Sequence, residues 1–182
     1  MEIIAISGKA GTGKDYISQH YLIPKGYVQF SFAWHFKVWM VATGEATYEE
    51  VFVTKPEHIR KKLQLRGTEE GRDVHGLNIW CQTALTWMRV LSENSGLKKF
   101  VIPDVRFENE LRFVQENGGR VFRIHAPLRA NNSSLTKEAR QHISETALDH
   151  LTSTDFDGII QNDPEFKETV EYQVNRLLLP NP

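Results

Sequence analysis

The chain has one cysteine in 182 residues, almost no net charge and no long apolar run. Each shortage excludes something. A lone Cys81 forms no intrachain disulfide and has no partners at zinc-ligand spacing. With 22 Lys and Arg against 23 Asp and Glu, the net charge is −1 and the pI about 6.7. No broad basic surface for nucleic acid follows from that balance. The longest apolar stretch, FSFAWHFKVWMVATG, is short and interrupted by His35 and Lys37, so no transmembrane helix is expected. Core residues begin straight after Glu2, which argues against a signal peptide and for a cytoplasmic protein, in the host cytoplasm if phage-encoded. Internal repeats and low-complexity segments are lacking too. The length suits a single domain, residues 1–182, with a real core.

What is present begins at once. Ile3, Ile4, Ala5 and Ile6 form an apolar run, followed by GKAGTGKD at residues 8–15 and then KDYISQHYLI with helical spacing. Strand, glycine loop and helix is the order of a phosphate-binding loop. Glycines let main-chain N–H groups turn toward an anion, the helix start adds positive potential, and Lys14 reaches the outer phosphates. The usual loop ends in Ser or Thr, whose hydroxyl holds Mg²⁺. Asp15 stands there instead.

Strands are expected at Glu2–Ser7, Tyr27–Phe32, Lys99–Asp104, Arg120–His125 and Asp157–Gln161. Helical patterns run over Ile79–Glu93, over Phe107–Glu116 before Gly118–Gly119, and from Asp163–Pro164 to the C-terminus. This alternation predicts an α/β fold with a central parallel sheet of about five strands and helices on both faces. Two segments are too long for simple crossovers: 33–97, mostly helical, and 126–150, polar and Arg-containing. Such segments above an α/β sheet are where substrate clamps and lids belong.

The first of them carries KKLQLRGTEEGRDVHGLNIW, with Lys61, Lys62, Arg66 and Arg72 around the Gly67–Thr68 turn and Trp80 beyond it. Cations for a phosphate and a flat aromatic for a base would together make a nucleotide site. In KKFVIPDVRFENE, Asp104 ends an apolar strand, where a carboxylate would lie close to a metal in a P-loop enzyme, and Arg106 follows. Read alone, Asp104 also suits a helix cap paired with Arg106, and the Trp80 stripe suits core. The lid-like segment adds Arg129, Arg140, His142, Ser144 and Glu145.

GKAGTGKD, LQLRGTEEGR with its Trp80, DVRFENE and HISETAL occur in this order in phage-type deoxynucleoside monophosphate kinases. The chain resembles that group from residue 1 to about 160. The group in turn resembles the adenylate kinase superfamily and characteristically has Asp where other P-loops have Ser or Thr. Animal-type phosphomevalonate kinases look similar at GKD alone; the GTEEGR and DVRFENE blocks favour the nucleotide kinases. The resemblance implies a P-loop kinase fold with a monophosphate-binding insertion at about 33–97 and a lid at about 126–150. It implies that Gly11, Thr12, Gly13, Lys14, Asp15 and Tyr16 bind ATP, with Mg²⁺ as cofactor on Asp15 and Asp104. Lys37, Lys62, Arg66, Gly67, Thr68, Arg72, Trp80 and Glu145 would bind the deoxynucleoside monophosphate. Lys14, Asp104, Arg106, Arg129 and Arg140 would act on the transferring phosphoryl group. Pro103 departs from the easier non-proline choice in a strand. The expected partners are these two nucleotides, without nucleic acid or membrane, in a monomer or homodimer. Two alternatives remain: a P-loop kinase of a non-nucleotide phosphorylated metabolite, and an ATP-binding regulatory module.

Overall fold

A computed structural model describes residues 1–132, 140–166 and 168–178. Strand β1 (Glu2–Ser7) leads through the glycine loop into helix α1 (Lys14–Ile17), which continues as a π-helical turn at Ser18–Leu22. Strand β2 (Val28–Gln29) precedes helices α2 (Trp34–Ala42), α3 (Glu57–Gly67) and α4 (Ile79–Ser95). Then follow β3 (Lys99–Val105), α5 (Glu108–Glu116), β4 (Arg120–His125) and the short α6 (Pro127–Asn131). Helix α7 (Ile143–Thr146), β5 (Gly158–Gln161) and α8 (Val170–Leu177) complete the order.

The chain divides into two compact units, 1–29 with 96–182, and 30–95. The first holds one parallel five-stranded sheet in the order β2-β3-β1-β4-β5. Ile4 and Ile6 of β1 join Val101, Phe122, Ile124 and Ile160 on one face, covered by Ile17 and Leu22 and by Val174 and Leu178. Alternate residues point the other way, where Ile3 lies by Gly119 and Val114 of α5. Helices therefore cover both faces. The β5 edge is closed by a side chain: Gln173 accepts the Gln161 N–H at 2.8 Å and donates to its carbonyl at 2.9 Å. That replaces a missing strand and blunts an exposed edge.

Pro103 sits inside β3, next to the central strand. The register between β1 and β3 shifts there, with Ala5 opposite Ile102 but Ser7 opposite Val105. A residue without an N–H cannot join the ladder, and the bulge absorbs it. Two expected boundaries need correction. The second strand spans only Val28–Gln29, because Ser31 begins a turn in which its carbonyl accepts Trp34 N–H and its hydroxyl accepts Ala33 N–H. The last helix begins at Val170, not at Asp163–Pro164. Asp163 instead receives Leu128 and Arg129 N–H at the start of α6, and Thr169 caps α8 through Tyr172 N–H.

The second unit is helical. Phe36 of α2 meets Trp80 of α4 with ring centroids 4.9 Å apart, and a π-helical turn, Thr68–Arg72, follows α3. Among the described residues no helix is long and apolar enough to cross a membrane.

Candidate active site

The glycine loop lies between the end of β1 and the start of α1, at the C-terminal edge of a parallel sheet, the usual place for a ligand in this architecture. Two interactions tie it to itself. Thr12 Oγ1 donates to the Lys9 carbonyl at 2.8 Å, and Lys14 Nζ donates to the Gly8 and Lys9 carbonyls, each at 2.8 Å. Gly13 has φ +97°, and a Cβ there would come within 2.4 Å of Asn162 Nδ2. That amide donates to the Thr12 carbonyl at 2.8 Å, so the loop and the end of β5 close on each other only across a glycine.

Lys14 is buried, and burial followed by the nearby Arg106 charge lowers its pKa from the ordinary 10.5 to about 7, against the opposing pull of Asp15 and Asp104. A neutral amine has two N–H groups, and the two loop carbonyls accept both. A polyphosphate would supply the charge that restores the ammonium. Lys14 thus shares the loop with a guanidinium that disfavours its ammonium.

Arg106 is held from both ends. The buried Glu110 carboxylate accepts its main-chain N–H at 2.7 Å and that of Phe107 at 3.0 Å, while Glu145 pairs with its guanidinium. Glu145 also accepts the Ala10 N–H of the loop at 3.0 Å. Lys9 donates to Asp149 at 2.6 Å and to the Glu145 carbonyl, and Arg123 donates to the Leu148 carbonyl at 2.7 Å. Arg129 reaches the same loop at one remove, its Nε donating to the Asn162 carbonyl. Beside it, Pro127, Leu128, Asp163 and Gln173 help line a cavity of about 820 Å³.

Within the first unit, then, Gly11, Thr12, Gly13, Lys14, Asp104, Arg106, Arg129 and Glu145 are reached from the ends of parallel strands. Asp15 and Tyr16 are exposed on α1, with Tyr16 stacked on His20 at 4.0 Å. Arg140 is half-buried; residues 133–139 of the expected lid lie outside the described residues. The remaining expected residues lie in the second unit. Trp80 Nε1 donates to the Gly67 carbonyl at 2.8 Å, and Arg66 pairs with Glu45 at 2.7 Å and with Glu70. Lys62 lies 3.4 Å from the Glu45 carbonyl, and Lys37 sits over the Phe52 ring at 5.8 Å. Thr68 opens the π-helical turn that ends at the buried Arg72. Trp80 is half-buried, one edge anchored rather than a whole face free.

Among the described residues, no group of three or more His, Cys, Asp or Glu could hold a metal by itself. Asp15 and Asp104 both act on Lys14. Two carboxylates beside a glycine-loop lysine are a hard-oxygen donor set whose chemistry fits Mg²⁺. Sequence reading missed Lys9, Asp149 and Asn162. Only Asn162 carried a signal, as a polar residue just beyond a buried strand where such sheets place their ligands.

No protein-family model matches the chain. A solved dephospho-CoA kinase from Campylobacter jejuni superposes with a TM-score of 0.53 at 15% identity, covering 98% of this chain and 96% of that one. With its glycine loop and five-stranded parallel sheet, the chain has the α/β fold of the P-loop kinases. In sequence it is similar to the "Putative deoxynucleotide monophosphate kinase" of Acanthamoeba polyphaga mimivirus, 27% identical over 186 residues, with 92% of each chain covered.

Proposed function

We propose that this chain is a deoxynucleoside monophosphate kinase, transferring the γ-phosphoryl group of ATP to the 5′-phosphate of a deoxynucleoside monophosphate to give the diphosphate and ADP. The observation that carries the reading is Lys14: buried in a self-tied phosphate loop, with Arg106, Asp15 and Asp104 as its charged neighbours. The choice of acceptor draws on the GTEEGR–Trp80 block and on the name of the mimivirus relative.

The acceptor oxygen is already an anion, so the protein need not abstract a proton from a hydroxyl. Its work is in-line positioning and neutralisation of charge spread over the phosphoryl oxygens. Lys14 and Arg106 supply cations at the loop, and main-chain N–H groups of residues 11–16 receive the donor phosphates. Arg129, tied through Asn162 to Thr12, stands beside the same loop, and the neighbouring cavity offers room for the donor's base. Asp15 and Asp104 would hold Mg²⁺, which would supply positive charge to offset that of the nucleotide phosphates. In the second unit, Lys37, Arg72 and the Gly67–Thr68 turn would receive the monophosphate, with Trp80 against its base. Arg140 would close from the lid and exclude water, limiting ATP hydrolysis. The reaction belongs to the cytoplasm.

A coupled assay with ATP, Mg²⁺ and each common deoxynucleoside monophosphate tests this. ADP formation that depends on at least one of them is expected. Turnover only with a non-nucleotide phosphate, or with no acceptor at all, would reject the reading.

A further inference from the structure

Glu145 stands on the one-turn helix α7 with a side chain only 9% exposed. Its two carboxylate oxygens are divided. One accepts the Ala10 N–H of the phosphate loop at 3.0 Å, and the other takes the Arg106 guanidinium. A carboxylate shared in this way fixes the guanidinium relative to the loop in direction as well as in distance. Arg106 approaches Lys14 closely enough to disfavour its ammonium, so the orientation imposed by Glu145 is set beside the phosphate-binding amine.

The segment bearing Glu145 is anchored independently of that carboxylate. Leu148 is buried and its carbonyl receives Arg123, His142 caps the helix through Ser144 N–H, and Lys9 joins the Glu145 carbonyl to Asp149. An arginine left loose would have to lose side-chain freedom on meeting the phosphoryl group, and one already pinned does not.

The geometry points to Glu145 as a positioning residue that acts through Arg106, holding the guanidinium against the P-loop rather than contacting the substrate. This rests on the phosphoryl-transfer reading for its catalytic consequence but not for its structural one. The test uses the full chain in two arms. In kinetics with ATP and an accepted monophosphate, Glu145→Gln lowers kcat about tenfold or more while both KM values stay within about twofold. In an Arg106→Ala background the same change costs less than about twofold, because the residue it acts through is gone. Glu145→Asp keeps the charge but is one methylene too short to span both partners; it loses activity in the same pattern and serves if Glu145→Gln fails to fold. Losses that multiply in the double variant, or a raised monophosphate KM at unchanged kcat, would overturn the proposal. The second arm needs no turnover. In ¹⁵N spectra, the Arg106 guanidinium, assigned through Arg106→Lys, shows hindered rotation in the parent and faster rotation in Glu145→Gln or Glu145→Asp. Unchanged Arg106 signals would sink the idea. Should the parent phosphorylate no monophosphate, the kinase reading falls and the spectra still decide the role of Glu145.

Discussion

Lys14 and Asp15 are adjacent ionisable residues, one basic and one acidic, and each carries a measurable consequence. The folded-state pKa of Lys14, about 7, lies below the ordinary 10.5. Between those values the unfolded chain binds the extra proton, so this group makes stability rise with pH from about 7 to about 10.5 and adds no slope below. In urea titrations from pH 7 to 9, the parent should gain up to roughly 1 kcal/mol per pH unit relative to Lys14→Met. Parallel curves for the two proteins would place a permanent ammonium at position 14. Asp15 poses the opposite problem, since an ionised carboxylate beside a polyphosphate repels it unless a cation lies between. Asp15→Asn should therefore bind ATP more tightly than the parent in EDTA and turn over more slowly in saturating Mg²⁺. Calorimetry in both conditions, with turnover measured alongside, checks the pair; no change in either would leave Asp15 as no more than an acidic residue in the first turn of α1.

At the scale of elements, the turn between α3 and α4 shows how a motif becomes a shape. Gly71 lies outside the left-handed region, yet a Cβ would lie 2.2 Å from Trp80 Cζ2 and 2.7 Å from the Arg66 carbonyl. The indole packs onto bare main chain while its N–H reaches the Gly67 carbonyl. GTEEG is thus a platform that seats Trp80, and Arg72 leaves from its end. Gly71→Ala must displace the indole or the turn, with an expected loss of about 1–3 kcal/mol in stability. If Trp80 serves the acceptor, the monophosphate KM rises well above any change in the ATP KM. Equal effects on both KM values would assign Trp80 to packing alone. The Pro103 bulge works at the same scale, since one missing N–H shifts the register just before Asp104 and Arg106.

At the scale of the whole molecule, the core of the first unit is the sheet face shared by β1, β3, β4 and β5. Phe122 is at its centre, 1% exposed, and Gly158 on the next strand leaves room for its ring: a Cβ there would stand 3.1 Å from it. Phe122→Ala should cost about 3–5 kcal/mol and lower the melting temperature by roughly 10 °C. If the chain binds ATP as proposed, saturating ATP should recover part of the loss, because it binds the folded form alone. A variant melting within a degree or two of the parent would mean the cavity had refilled.

The order of elements was legible in the chain itself, because apolar runs of strand length alternate with helical stripes and because glycines at 8, 11 and 13 punctuate the first crossing. Local rules decide such features within a few residues. Sheet order, the Pro103 bulge and the closure of the β5 edge by Gln173 were not legible, since each depends on which distant segment becomes a neighbour. The same divide runs through the site. Lys14, Asp104 and Arg106 announce themselves by position within motifs, whereas Asn162 against Thr12 and Glu145 against Ala10 join residues 150 and 135 positions apart. Asp163 shows the rule most plainly. Its local sequence offers it as the cap of the helix that follows, but the fold brings the Leu128 and Arg129 N–H groups to its carboxylate, and Thr169 is left to cap α8. Sequence assigns a residue its chemistry, and only the folded chain selects the donors and acceptors that it meets.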